Sequence, residues 1–203
     1  MIIAVDGPAA SGKGTIARAL AAHYHLPHLD TGLLYRAVGV TTVRAGLNPD
    51  DEADAARCTQ ITPELLADPA LRSESAGSLA SRVSRHPAVR DALFAYQQDF
   101  ARQPGGAVLD GRDIGTVIAP EADAKLFITA SAQVRARRRH MEDSHADYAA
   151  ILADIQARDA RDAGRSAAPL RQADDADLLD TSDLTIAAAV QRAIALVEAR
   201  IRR

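Results

Sequence analysis

The 203-residue sequence has no tryptophan, a single cysteine and only two lysines. It also has no apolar run near the roughly 20 residues that a membrane-spanning helix needs. Each shortage removes a class of protein. Cys58 alone rules out a disulfide framework and a multi-cysteine zinc site, and one thiol fits a reducing compartment. The opening Met1-Ile-Ile-Ala-Val-Asp6 has neither a positive flank nor a small-residue cleavage site. The expectation is a soluble, cytoplasmic protein without a membrane partner. A formal net charge of −3 argues against a protein that coats a nucleic acid polymer or an anionic surface. No Asn-Lys-x-Asp segment surrounds Lys13 or Lys125, which excludes GTPase-type guanine reading, and no Leu-Ser-Gly-Gly transporter signature occurs. Internal repeats and low-complexity linkers are absent too.

What is present is 47% hydrophobic and 25% charged, enough for one well-buried domain with appendages. Ile2-Ile-Ala-Val5, Ala107-Val-Leu109 and Lys125-Leu-Phe-Ile-Thr129 read as short strands buried on both faces, with weaker strands at His28-Leu29 and Asp177-Leu-Leu-Asp180. Helical spacing covers 13–25, 87–102, 131–142, 147–163 and 185–201, with Pro87 in a first turn and Ser131 and Thr185 as N-caps. Strands alternating with helices predict an α/β fold around a parallel sheet. Residues 47–71, punctuated by Pro49, Pro63 and Pro69, read as an insertion beside the core.

Gly7-Pro8-Ala9-Ala10-Ser11-Gly12-Lys13-Gly14-Thr15 follows the first strand and opens the first helix. Glycines let a backbone fold around a phosphate, and the helix N-terminus supplies a favourable field. Lys13 reaches β- and γ-phosphates, and a hydroxyl serves the metal. The usual hydroxyl position holds Gly14, so Thr15 is the expected Mg²⁺ contact. Lys13 stands out further because 22 of the 24 basic residues are arginine. The same abundance weakens every arginine cluster as a signal.

Three further segments complete the pattern: Asp30-Thr-Gly-Leu-Leu-Tyr35-Arg36, Gly111-Arg112-Asp113 after Val108-Leu-Asp110, and Arg158-Asp-Ala-Arg161-Asp162-Ala-Gly-Arg165. Together with the GKGT loop, the chain closely resembles bacterial cytidylate kinases over roughly 1–46, 72–142 and 151–203. The resemblance implies a P-loop NTPase-type parallel sheet flanked by helices, with an NMP-binding insert and a helical lid in one 1–203 domain. The core would be about 1–30, 104–140 and 168–203, the NMP-binding part about 31–103 and the lid about 141–167. Members usually carry a small β-hairpin in the insert, for which Thr59 to Leu71 is too short.

The implied reaction moves the γ-phosphoryl of MgATP to CMP or dCMP, with ATP and Mg²⁺ required and a monomer expected. By motif position Asp113 accepts from the cytosine amino group, as a carboxylate suits that donor and repels the O4 of uracil. Ser81 and Arg90 complete the base contact, and Arg112 holds the CMP phosphate. Asp30, Tyr35, Arg36 and Asp110 line the CMP or magnesium region. Arg158 and Arg165 act on phosphate at the transition state, and Asp162 on the ribose. On spacing alone, Arg158, Arg161, Asp162 and Arg165 also fit a solvated helical face. Arg135 and Arg137-Arg138-Arg139 border the adenine or a hinge, although an exposed helix suits most of them. His23, His25 and His28 match no metal pattern and read as solvated or capping residues. Other readings are an adenylate, uridylate or shikimate kinase, or a non-catalytic nucleotide-binding regulator.

Overall fold

The computed structural model describes residues 1–142 and 146–202. Its centre is Ile2–Asp6 (β1), paired in parallel with Ala107–Gly111 (β3) on one side and Ala124–Thr129 (β4) on the other. His28–Asp30 (β2) extends the sheet beyond β3, and Asp177–Asp180 (β5) extends it beyond β4, giving the order β2-β3-β1-β4-β5. All these pairings are parallel, as the alternation of strands and helices predicts.

Period-two alternation along β1 explains the two cores. Ile3 and Val5 pack on one face with Ile16 and Leu20 of Lys13–Tyr24 (α1) and Ala193 and Val197 of Ile186–Ile201 (α9). Ala4 packs on the other face with Leu34 and Val38 of Thr31–Arg44 (α2) and Val89 and Leu93 of Pro87–Ala101 (α6). Both faces are covered, so the strands are continuously apolar. Of the two lysines, Lys125 is a structural residue. It lies in β4 and holds Asp175 at 2.7 Å.

The expected insertion at 47–71 packs beside α2 and α6 and is helical. It comprises Glu52–Ala56 (α3), Pro63–Leu66 (α4) and a 3-10 turn at Pro69–Arg72. Asp51, Thr62 and Asp68 cap these short pieces, and no strand occurs there among the described residues. Cys58 is buried in the α2/α6 core. Ser131 caps Ala132–Glu142 (α7) through the Val134 amide, and Thr185 caps α9 through the Ala188 amide.

Two helices were not legible as such: α2, and Glu74–Val83 (α5), which pack on each other. Helix α2 contains Gly32, Gly39 and a Val-Gly-Val-Thr-Thr-Val run, all weak helix formers. Tertiary packing overrides propensity at Gly39, where a Cβ would lie 2.7 Å from the Cβ of Leu79 in α5. Gly39→Val therefore forces α2 and α5 apart. We expect it to lower unfolding free energy by about 2 kcal/mol in urea titration; an unchanged midpoint would show that the two helices separate freely.

Candidate active site

The carboxyl ends of β1, β2 and β3 lie side by side and bring three aspartates together. Asp30 is opposite Asp110 across the β2/β3 pairing, and Asp6 ends β1 beside Gly111. The side chains do different things. Asp6 is fully buried and accepts the amides of Ile114 and Gly115, each at 2.8 Å. It thereby fixes the π-helical turn Ile114–Ile118 that follows Arg112 and Asp113. Burial pushes its pKa up to about 7, although both amide donors pull the other way. Asp30 sits at the N-cap position of α2 but makes no capping bond, so its carboxylate is left to the cleft. Burial raises its pKa, and the neighbouring Asp110 raises it further.

The loop 7–15 is bent by left-handed backbone at Ala10 and Gly12, with φ of 58° and 89°. At Gly7 a Cβ would lie 2.0 Å from the Ile128 carbonyl oxygen, so only glycine fits. Lys13 is half-buried in the cleft and its ammonium donates to the Pro8 carbonyl at 3.3 Å. Burial, and then the Arg112 guanidinium, lower its pKa to about 7 against the pull of Asp110, Asp30 and Asp162. The Ser11 hydroxyl in this loop is buried without a partner, the kind of orphaned donor that a phosphate oxygen satisfies.

Helix α7 clamps the loop from outside. Arg135 is buried, donates to the carbonyls of Ala9 and Ala130, and forks onto Asp159 at 2.9 and 2.6 Å. Arg138 donates to the Ser11 and Thr181 carbonyls, and the Thr181 hydroxyl also reaches Ser11. The expectation of a mostly exposed helix here is therefore corrected. Only Arg137 of the four arginines is exposed, because Arg135, Arg138 and Arg139 face the loop.

One cleft is lined by Lys13, Arg36, Arg112, Arg139, Arg158 and Arg165, and by Asp30, Asp110, Asp113 and Asp162. Tyr35, Ser81 and Gly14 line it too. Six basic groups against four carboxylates leave it positive, as an anion site requires. Arg112 holds Asp162 at 2.8 Å, joining β3 to Tyr148–Ala163 (α8). Burial would raise the pKa of Asp162, but Arg112, Arg165 and Arg158 hold it low. Arg36 donates to the Leu71 and Ser73 carbonyls. Burial lowers the pKa of Arg36, Arg158 and Arg165, and crowding of like charge adds to it.

Arg90 lies behind the cleft, buried in α6, where it pairs with Asp113 and stands 5.8 Å over the Tyr35 ring. The solvated-face reading of the 158–165 segment is excluded, since Arg158, Asp162 and Arg165 are all buried. Helix α8 ends at Ala163, so Arg165 enters the cleft from the turn after it. Arg161 faces Ser81 from the other side, donating to its hydroxyl.

A second cavity lies across the loop, lined by Ser11, Gly12, Thr15, Arg138, Arg139, Thr181, Leu184 and Ile186 among others. Thr15 opens here and takes a bond from Arg18 at 3.4 Å. At Gly14, by contrast, a Cβ would lie 3.6 Å from Asp110 Oδ2. Thr15 thus faces the second cavity, while the Asp30 and Asp110 carboxylates are hard oxygen donors at the strand ends in the cleft. That set fits Mg²⁺, which binds through one or two carboxylates with phosphates and water.

His28 belongs to this site although the sequence reading set it aside. Its Nε2 lies 2.7 Å from Asp110 Oδ1, while the Thr31 hydroxyl donates to the Asp110 carbonyl. His25, in contrast, caps α1 as expected. No group of three or more potential metal ligands occurs among the described residues, and none of their helices is long and apolar enough to cross a membrane.

The family model described as cytidylate kinase matches residues 3–199. Curated cytidylate kinases of Rhodopseudomonas palustris (strain HaA2) and Xanthobacter autotrophicus (strain ATCC BAA-1158 / Py2) are 56% and 57% identical to the chain. Each alignment covers 98% of this chain, and 96% and 98% of those proteins respectively. A gluconokinase structure from Sinorhizobium meliloti 1021 shares the fold with a TM-score of 0.57 at 16% identity, covering 98% of this chain and 93% of that one. An uncharacterized protein from Eubacterium ventriosum ATCC 27560 aligns with a TM-score of 0.60 at 17% identity, over 98% and 99% of the two chains.

Arg135 ties the loop to α8, and its removal leaves two carbonyls and Asp159 without their donor. Asp159 retains 31% exposure, so the cost is at the low end for a broken buried pair. Arg135→Ala should lose about 3 kcal/mol of stability by chemical denaturation; a parental midpoint would show that the clamp contributes nothing.

Proposed function

The chain belongs to the cytidylate kinase family and is a nucleoside monophosphate kinase; we propose that it transfers the γ-phosphoryl of ATP to CMP or dCMP by the following division of labour. The observation that carries the reading is the pair of cavities on either side of the 7–15 loop. One is lined by six basic groups, and the other reaches apolar Leu184 and Ile186. The first suits a nucleoside monophosphate beside the transferred group, the second the nucleoside end of ATP.

In the acceptor cleft Asp113 accepts from the cytosine N4 amino group, and Arg90 holds that carboxylate in place from behind. Ser81 and Tyr35 border the base, and Asp162, fixed by Arg112, faces the sugar. Arg36, Arg112, Arg158 and Arg165 surround the acceptor phosphate. Residues 31–103 then serve as the NMP-binding part and about 141–167 as the lid, of which 143–145 lie outside the described residues.

No general base is needed. A nucleotide phosphate has its second pKa at about 6, so the attacking oxygen is already an anion at neutral pH. Lys13, Arg158 and Arg165 offset charge on the group in transit, and the buried loop with its orphaned Ser11 hydroxyl receives the phosphates. Asp30 and Asp110 would hold Mg²⁺, which would supply further charge neutralisation to the phosphates. Helix α8 covers the cleft through Arg112–Asp162, excluding water that would otherwise take the phosphoryl group.

An acceptor panel with ATP tests this reading. ADP release is expected with CMP and dCMP and not with AMP or shikimate. Asp113→Ala should raise the KM for CMP by about tenfold or more with the KM for ATP little changed, since one lost charge-assisted bond costs at least 1.4 kcal/mol. An unchanged KM for CMP would remove Asp113 from base recognition.

A further inference from the structure

A further cavity shares Ser81 and Arg165 with the acceptor cleft but none of its other lining residues. Its walls are the turn between α5 and α6, with Arg85 and His86, and the end of α8, with Arg161 and, just past it, Arg165 and Ser166. No carboxylate lines it among the described residues. Arg161 has no part in the kinase reading above, and its guanidinium is only partly used. Its Nε donates to the Ser81 hydroxyl at 3.2 Å, while its Nη2 is buried without a partner. Arg165 is in the same condition: Nη1 donates to the Ser84 hydroxyl, Nε to the Asp162 carbonyl, and Nη2 is buried without a partner. The other orphaned buried side-chain atoms among the described residues are hydroxyls, so the two charged ones meet in this cavity, and a buried donor left without an acceptor is costly. On the opposite wall Arg85 pairs with Asp50, an exposed carboxylate that Arg82 already holds in a fork, and such a pairing is weak. The negative end of α8 opposes an anion here, but it amounts to about half an elementary charge. The carbonyls of Ala160 and Asp162 are also already taken by the amides of Gly164 and Leu170. Three guanidinium groups outweigh it.

We propose that this cavity is a second anion site, for a phosphate-class oxyanion that is free or carried on a small organic molecule, and that the anion fastens α8 to the α5–α6 turn. A tetrahedral oxyanion offers several acceptor oxygens at once, which suits two orphaned N–H groups on one wall and a guanidinium on the other. Its charge also relieves crowding at Arg165, whose pKa is lowered by burial and, against Asp162 and Asp113, by Arg90 and Arg112. The effect on the reaction follows from the shared residues. Ser81 and Arg165 face both the cavity and the acceptor cleft, and Arg158 and Asp162 of α8 line that cleft. An anion bonded to both walls holds Arg165 and α8 where CMP meets them. CMP and the anion therefore bind with positive coupling, and the coupling is reciprocal. The anion site stands on the cavity itself; its coupling to CMP rests on the reading of the acceptor cleft above.

The test uses the full chain saturated with a bisubstrate probe, adenosine and cytidine joined 5′ to 5′ through five phosphates, which fills both nucleotide cavities. Inorganic phosphate is then titrated in by calorimetry at constant ionic strength. The parent should bind a single phosphate, and Arg161→Met should weaken that binding by about tenfold or more, as for one lost charge-assisted bond. Arg85→Met, in an exposed turn, should weaken it by about threefold, which keeps the test open if the first variant folds poorly. Glycerol 3-phosphate titrated in parallel separates the sources: its binding supports a carried phosphoryl group, and its failure where phosphate binds supports a free ion. For the coupling, saturating phosphate should tighten the parent's affinity for the probe by about fivefold and leave that of Arg161→Met unchanged. Absence of a phosphate site in the saturated parent overturns the proposal, as does a site that neither substitution weakens. Phosphate that weakens probe binding equally in parent and Arg161→Met competes only within the nucleotide cavities, and overturns it too. If the parent fails to bind the probe, the kinase reading falls. Phosphate binding by the free chain that is lost in Arg161→Met then still supports the cavity as an anion site, and binding that is retained overturns it.

Discussion

The constraint behind this structure is the confinement of like charge before the substrate arrives. Two polyanions must meet in one cleft, and the cations that receive them have to be buried, close together and free to bond. Burying such groups costs several kcal/mol each unless they are paired. The chain meets the cost with its own carboxylates: Asp162 holds Arg112, Asp113 holds Arg90, and Asp159 holds Arg135. These pairs also join elements far apart in sequence, β3 to α8, the β3 turn to α6, and α7 to α8. The arrangement of α6, α7 and α8 around the cleft and the 7–15 loop thus follows from where positive charge is tolerated.

The parallel sheet makes that concentration possible. With order β2-β3-β1-β4-β5, the carboxyl ends of β1, β2 and β3 are neighbours, and the loop 7–15 leaves the central strand there. Ligands of open α/β sheets bind at this edge. Asp6, Asp30 and Asp110 have separate duties at one edge: Asp6 fixes a turn, Asp30 faces the cleft, and Asp110 is steered by His28. The same residue type in adjacent strands is therefore no redundancy.

Contiguous features were legible in the sequence. The 7–15 loop needs its glycines, lysine and following helix in one short stretch, and the buried strands and α6 announce themselves by period. Features made by distant partners were not. His28 meets Asp110 across 82 positions, and nothing about an isolated histidine after Pro27 signals that. Arg135 and Arg138 looked like part of a solvated helix because arginine is abundant everywhere in this chain. Helices α2 and α5 were hidden by glycine and β-branched residues whose fit is decided by packing. That Thr15 opens onto the second cavity was likewise not visible in the sequence, because it depends on how the loop turns into α1. Membership of the family resolved the choice among small-acceptor kinases that motif reading alone had left to resemblance.

Proton uptake on nucleotide binding tests most directly whether burial and crowding of like charge suppress the charge of a cleft cation until phosphate arrives. With Lys13 lowered to about 7 in the free protein, chiefly by burial and Arg112, the side chain is mostly neutral at pH 8. Phosphates raise that pKa, so binding draws a proton from solvent. Calorimetry of ATP binding at pH 8, without Mg²⁺ and in buffers of different ionisation enthalpy, should show uptake approaching about one proton per site. The uptake should be largely absent in Lys13→Met. No difference in uptake between the two proteins, or proton release by the parent, would contradict the account.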